Sequence, residues 1–289
     1  MAKHIEPLPT LALLGATGKT GREVLKVLLQ RKHDFQQLRI YVRSKEKLLK
    51  LFPQLMADDR RVKIHEDQVT DQNTMQACLA GARVIIYTIG GYSYFPDDSL
   101  RTSAESMVTA LRELRARNTL ASSGGGGGGC DAEWERPRVI FLSSSTLNTR
   151  FAAARPRVVD WLIQTAFQNG YNDLKRAVAA VRTDPSLLSV LFVQPAVLVE
   201  EASTGSYVSV EDVKLACSYE DLGAGFVELA LNRGYDGLHE IGCSSALGNR
   251  AHRYFPIMLR KLAAGFFAFY VPGALQVTNA LEAMQRWIW

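Results

Sequence analysis

Cysteine is scarce: the four in 289 residues, Cys78, Cys130, Cys217 and Cys243, lie far apart, and none belongs to a C-x-x-C or Cys/His pair. That spacing argues against a zinc ligand set and a disulfide framework, so no metal site is assigned and a reducing compartment is expected. Also missing is any block of five or six Lys/Arg; the formal charge of +5 is spread along the chain. A dispersed, mild excess suits a small anionic ligand, and no direct nucleic-acid binding is expected. Residues 1–10 hold His4, Glu6, Pro7 and Pro9 but no apolar stretch, so they do not read as a secretory signal and the expected location is cytoplasmic. The apolar run from Leu262 to Leu275 is broken by Pro272 and falls short of the roughly 20 residues a membrane span needs. Against these absences, 47% hydrophobic and 22% charged residues is ordinary globular composition.

What is present begins with Gly15-Ala16-Thr17-Gly18-Lys19-Thr20-Gly21, which follows the apolar run Leu11–Leu14 and opens a helix-patterned segment near Arg22. A strand, a glycine turn and a helix form a phosphate cradle: the glycines let the backbone bend and approach a ligand, and the helix N-terminus aims N–H groups and partial positive charge at it. The bland alternative is a strand-to-helix turn without a ligand. Leu38–Val42 reads as the second strand and ends at Arg43-Ser44-Lys45, where an NAD-selective site carries an acid for the ribose 2′-hydroxyl. Arg43 and Lys45, with Lys19 nearby, are cations that can hold a 2′-phosphate, so NADP(H) is the implied cofactor; the alternative places both on a solvated surface.

Further strands are expected at Val62–His65, Val84–Ile89, Val139–Leu142, Leu188–Phe192 and Leu238–Ile241. Helices are expected over Leu48–Met56 (interrupted at Pro53), Asp71–Leu79, Asp98–Arg117, Val158–Arg182 and Val210–Asn232. Asp67, at the end of the third strand, either accepts from an adenine amino group or caps the next turn. Gly90 and Gly91, after Ile89, can bring backbone close to the cofactor, whereas Gly124–Gly129 lacks a flanking strand and helix and reads as a flexible surface loop over 122–132.

The fifth strand delivers Ser143-Ser144-Ser145-Thr146 at its carboxyl end, the edge where doubly wound sheets bind ligands. Downstream, Tyr171 and Lys175 are four apart and share a helix face. A phenol titrates near about 10, and an adjacent ammonium stabilises its phenolate, moving it toward acid–base work at neutral pH. Ser145 then positions the substrate oxygen.

With a G-x-x-G-x-x-G loop, a strand-end serine and Y-x-x-x-K in that order, the sequence resembles the short-chain dehydrogenase/reductase superfamily over most of its length. The distance from Ser145 to Tyr171, 171 − 145 = 26 residues, looks like the extended and atypical branches. The Gly-Ala-Thr-Gly loop, the Arg43-Ser44 strand end and Ser218-Tyr219-Glu220-Asp221-Leu222 look like the NmrA-like group, similar to fungal averufin-oxidase-type proteins of polyketide pathways. Gln194-Pro195-Ala196-Val197 resembles the R-P-G turn beside the nicotinamide, with Gln and Ala replacing Arg and Gly.

The resemblance implies an α/β, doubly wound parallel sheet of the Rossmann type with a small C-terminal substrate lobe. The core fills residues 1 to about 200, and 201–289 form the lobe and an aromatic tail of a single NAD(P)-binding domain. It implies cofactor contacts at Gly15, Thr17, Gly18, Lys19, Thr20, Gly21, Arg43, Lys45, Asp67, Ile89, Gly90, Lys175, Pro195 and Val197, and catalytic roles for Ser145, Tyr171 and Lys175. The expected reaction is hydride transfer between NADP(H) and an apolar, polyketide-like metabolite by a monomer or homodimer. A noncatalytic NADP-sensing regulator and an isomerase or dehydratase on the same scaffold remain open. The tail beyond Tyr254 is expected to pack on the main domain, with a substrate lid or a membrane-surface contact as alternatives.

Overall fold

Leu11, Ala12, Leu13 and Leu14 are all fully buried, because the first strand is covered on both faces. Leu11 and Leu13 enter one core with Val24, Leu25 and Leu28, while Ala12 and Leu14 enter a second with Met75, Met107 and Ala177. Apolar residues at consecutive strand positions therefore divide between two helix layers, the pattern of a sheet buried on both sides. The computed structural model describes residues 7–56, 60–90, 97–123, 134–153 and 155–271. Gly91, the Gly124–Gly129 run and the tail from Pro272 to Trp289 lie outside the described residues.

The strands are β1 (Thr10–Leu14), β2 (Gln37–Val42), β3 (Val62–Glu66), β4 (Val84–Tyr87), β5 (Arg138–Leu142), β6 (Ser189–Pro195), β7 (Val197–Val199), β8 (Ser206–Ser209), β9 (Ala216–Ser218) and β10 (Glu240–Ser245). The main sheet runs β3-β2-β1-β4-β5-β6-β10-β8, parallel except for the β10–β8 pair, and β7 and β9 form a separate parallel pair. The strand order reverses at β1, so the crevice beside the carboxyl ends of β1 and β4 is the ligand edge of such a fold.

The helices are α1 (Lys19–Gln30), α2 (Lys45–Leu51), α3 (Gln72–Leu79), α4 (Ser99–Ser123), α5 (Thr149–Ala153), α6 (Arg157–Ala166), α7 (Gln168–Arg182), α8 (Tyr219–Leu231) and α9 (Ala251–Tyr270). Helices α1 and α8 cover one face, and α3, α4 and α7 the other. The expected doubly wound sheet is thus present, with four differences from the sequence reading. The helix over Val158–Arg182 breaks at Phe167, whose φ of −118° and ψ of 24° end α6 and begin α7. The expected helix from Val210 begins at Tyr219, where Ser218 accepts the Asp221 N–H at 3.0 Å as an N-cap; the residues before it include β9. Helix α4 persists through Ser123, into the expected loop. A core boundary near residue 200 cuts through the sheet, because β10 pairs with β6 and Phe226 of α8 is buried in the same core as Leu25 of α1. No helix among the described residues is long and apolar enough to cross a membrane.

Candidate active site

The glycine turn is fixed by sterics. Gly15 has φ +94°, and a Cβ there would lie 2.7 Å from the Ile89 nitrogen. A Cβ on Gly21 would lie 2.1 Å from the Gly15 carbonyl oxygen. Thr88 closes the other side: its N–H and hydroxyl donate to the Leu14 carbonyl at 2.9 and 2.8 Å. Gly18 stands at the α1 N-cap position without a side chain to cap the helix, and the first turn carries no acid. The turn therefore presents N–H groups and a positive dipole end with no carboxylate in its own sequence, which fits a phosphate. Thr17 is half-buried and Thr20 buried, so Thr20 packs under the turn and Lys19 stands exposed above it.

Lys19 is engaged by two residues that the sequence reading does not assign. Its ammonium forms an ion pair with Glu200, just beyond β7, and lies 5.7 Å from the centroid of the Tyr219 ring. Lys19 in turn holds the Glu200 carboxyl below its ordinary range. Burial, with Lys19 nearby, lowers Lys261 on α9, which donates to the Leu198 carbonyl at 3.0 Å. The aromatic C-terminal helix thus reaches the rim of the glycine turn.

Arg43 and Lys45 are exposed at the end of β2, where the adenosine end of a dinucleotide would lie. The Lys45 N–H donates to Glu66 at 2.7 Å, placing an acid beside the two cations. Asp67 accepts from the Gln68 N–H at 2.7 Å and the Thr74 hydroxyl at 3.2 Å, and the N-cap of α3 is Asp71. Gly90 is exposed beyond β4, and Ile89 packs against the second core.

The strand-end hydroxyls divide in a way the sequence does not reveal. The 3-10 turn Ser145–Leu147 directs Ser144 and Thr146 at Tyr171, whose hydroxyl donates to Thr146 Oγ1 at 3.1 Å and lies 3.4 Å from Ser144 Oγ. Ser145, expected to position the substrate oxygen, is 1% exposed and faces Arg155 at 3.5 Å. That is a correction: Ser144 is still extended at φ −144° and ψ 141°, so it and Thr146 inside the turn flank the phenol, while Ser145 between them turns to Arg155. Tyr171 and Lys175 do share a face, and with Gln164, Thr165, Gln168 and Asn172 they line a concavity of about 240 Å³.

Three further residues set this geometry. Asn148 ends the 3-10 turn and donates to Gln194 at 2.7 Å and to Glu240 at 3.0 Å. Gln194 therefore replaces the Arg of the expected R-P-G turn with a buried acceptor. Asp173, between Tyr171 and Lys175, is 4% exposed and accepts the N–H groups of Leu100 and Arg101 at 2.9 and 3.0 Å, fastening α7 to the start of α4. Pro195 ends β6, and Val197 is half-buried in β7, its N–H donating to Leu215 at 3.2 Å.

A family model described as NAD(P)H-binding matches residues 15–232. Among curated proteins, the chain is 30% identical over 275 residues to oxidoreductase ordB of Dothistroma septosporum, covering 95% of this chain and 96% of that one. It is 31% identical to oxidoreductase stcQ of Emericella nidulans over 77% of each chain, and 30% identical to oxidoreductase aflX of Aspergillus parasiticus over 76% of each. Among solved structures, a short-chain dehydrogenase/reductase from Veillonella parvula in complex with NADP superposes with a TM-score of 0.59 at 17% identity, over 83% of this chain and 96% of that one. At that identity the likeness is one of fold.

Proposed function

Since the chain belongs to the NAD(P)H-binding family, with fungal oxidoreductases among its relatives, we propose that it is an NADP(H)-dependent oxidoreductase acting on an apolar, polyketide-like substrate. The observation that carries the proposal is the placement of the Tyr171 hydroxyl between Ser144 and Thr146 at the carboxyl end of β5, with Lys175 one helical turn on.

Gly15, Gly18 and Gly21 with the first turn of α1 would hold the pyrophosphate, Arg43 and Lys45 the 2′-phosphate, and Lys175 the ribose. When bound, the cofactor supplies or accepts a hydride at its nicotinamide. The protein's part is proton transfer and orientation. Tyr171 gives a proton to the substrate oxygen when the carbon is reduced, or takes it when the carbon is oxidised. Thr146 accepts from Tyr171 and Ser144 lies beside it, so the phenol oxygen is held in place before the substrate arrives.

The relatives' names support the oxidoreductase class. The polyketide-like substrate rests on the sequence resemblance and on the aromatic composition of α9. Titrating NADPH and NADH against wild type and Arg43→Glu tests the cofactor. Wild type should prefer NADPH and the variant should lose that preference; equal binding of the two cofactors by wild type overturns the 2′-phosphate assignment.

A further inference from the structure

Helices α6 and α9 pack together, with Gly265 against Ala166, and present an apolar surface to solvent. On α9 the positions 255, 259, 262 and 266 repeat at four- and three-residue intervals and so fall on one face, occupied by Phe255, Leu259, Leu262 and Phe266. Phe255 is 63% and Leu259 56% exposed; from α6, Trp161 is 58% exposed and its ring lies 6.4 Å from that of Phe266. The two helices therefore contribute to one continuous aromatic surface.

Its unpaired charge is cationic. Arg157 begins α6, Arg250 precedes α9 and Arg260 lies on it, all three exposed; α9 contains no Asp or Glu, and the neighbouring Glu201 carboxylate is engaged by Arg253 at 2.6 Å. The carboxylate of α6, Asp160, is already engaged by Arg155 at 3.0 Å and Gln164 at 2.7 Å. A second copy of α9 would bring cation against cation, whereas an anionic lipid surface complements both the charge and the aromatic rings, which favour the headgroup boundary.

We propose that the α6–α9 face docks on the surface of an anionic phospholipid membrane. The chain lies on the bilayer without crossing it, and the apolar stripe enters the headgroup boundary while the arginines meet lipid phosphates. The geometry stands whether or not the chain turns over a substrate. Were the proposed reaction also correct, docking would bring the site to a phase in which apolar metabolites concentrate.

The test is co-sedimentation of the full chain with vesicles of phosphatidylserine and phosphatidylcholine, and with phosphatidylcholine alone. Wild type should bind the mixed vesicles, more weakly at high salt. Combined Trp161→Ser, Phe255→Ser and Leu259→Ser should weaken binding by about a hundredfold or more, since three large apolar side chains lose their burial. Arg157→Ala and Arg260→Ala should each weaken it by about fivefold. To keep the test independent of the triple variant's folding, Phe255→Trp adds a reporter on the stripe, and the emission it adds to that of the four native tryptophans should be quenched by bromine-labelled lipid. Failure of wild type to bind, binding unchanged in the triple variant, or an unquenched Phe255→Trp each overturns the proposal. So does a wild-type dimer that the same substitutions convert to monomer, which assigns the face to a second copy. NADPH titration and turnover are read separately, so loss of lipid binding and failure of the oxidoreductase reading are distinguishable.

Discussion

A methyl group added at Gly21 would sit 2.1 Å from a backbone oxygen, whereas the Tyr171 hydroxyl has partners at 3.1 and 3.4 Å and borders a concavity of about 240 Å³. The glycine turn is a backbone device: its shape follows from what cannot fit, and main-chain N–H groups are what it offers a ligand. The tyrosine shelf is a side-chain device, resting on a 3-10 turn, an Asn148 bridge and an Asp173 anchor. The first tolerates no substitution at its crowded glycines, while the second can lose the Tyr171 hydroxyl and keep its fold.

Gly21→Ala offers the largest break in that comparison. The clash is with backbone that cannot swing away, so the variant should unfold with a stability loss of roughly 3 kcal/mol or more and lose NADPH binding. Thermal unfolding measures the first and cofactor fluorescence the second; a variant within about 1 kcal/mol of wild type would show that the turn can relax. Tyr171→Phe sharpens the other side. It should unfold near wild type and bind NADPH normally, while turnover falls by roughly 10² to 10⁴, the contribution of a positioned proton donor. Unchanged turnover would remove Tyr171 from the chemistry and move the site to Ser144, Ser145 and the aromatic C-terminal helix.

The end of β2, on the far side of the glycine turn from Tyr171, predicts a smaller effect. If Arg43 holds a 2′-phosphate by charged hydrogen bonds, Arg43→Glu should weaken NADPH binding by about tenfold to a hundredfold and leave NADH almost unchanged. Equal losses for both cofactors would point to a general change at the β2 end.

A pH effect lies opposite the glycine turn. Asp221 on α8 is fully buried, and burial alone would raise its pKa; hydrogen bonds from Ser203, Ser245, the Thr204 N–H and Ser218 overcome that and hold it below the ordinary carboxylate value. A folded pKa lowered in this way contributes stability that is full above the unfolded value, about 4, and is lost as pH falls through the folded one. Asp221→Asn should lower stability at neutral pH and flatten its decline below about pH 4. Denaturant midpoints at neutral and acidic pH read both, and an unaltered acid slope would assign the decline to other carboxylates.

The difference between the two regions also explains what is legible in the sequence. The glycine spacing, the strand before it and the all-apolar β4 are forced by close backbone contact and two-sided burial, and both leave local patterns. The break at Phe167 leaves none, because an apolar residue continues the α6 stripe while its backbone leaves the helix. The sheet's extension past residue 200 is equally hidden: Glu240–Ser245 pairs with β6 across more than forty residues, and only packing decides that. Glu200 and Gln194 act through partners distant in the chain, so no spacing rule reaches them.

Ser143 to Thr146 is the sharpest case, since four consecutive hydroxyls cannot be ranked by pattern. The 3-10 turn ranks them, and it predicts the smallest effect. Ser145→Ala removes a hydroxyl that is 1% exposed and has Arg155 at 3.5 Å, a distance at the limit of a hydrogen bond. Turnover should stay within about threefold of wild type, with a stability cost of at most about 1 kcal/mol. Ser144→Ala removes a neighbour of the Tyr171 oxygen, and Thr146→Val removes its acceptor while keeping the side chain's shape. Each of these should lower turnover by about tenfold, the worth of a single hydrogen bond that fixes the donor. The comparison is read on kcat with NADPH saturating, so that weakened cofactor binding does not enter. If Ser145→Ala costs more than Ser144→Ala, the turn rotates when cofactor and substrate bind, and Ser145 replaces Ser144 beside the phenol.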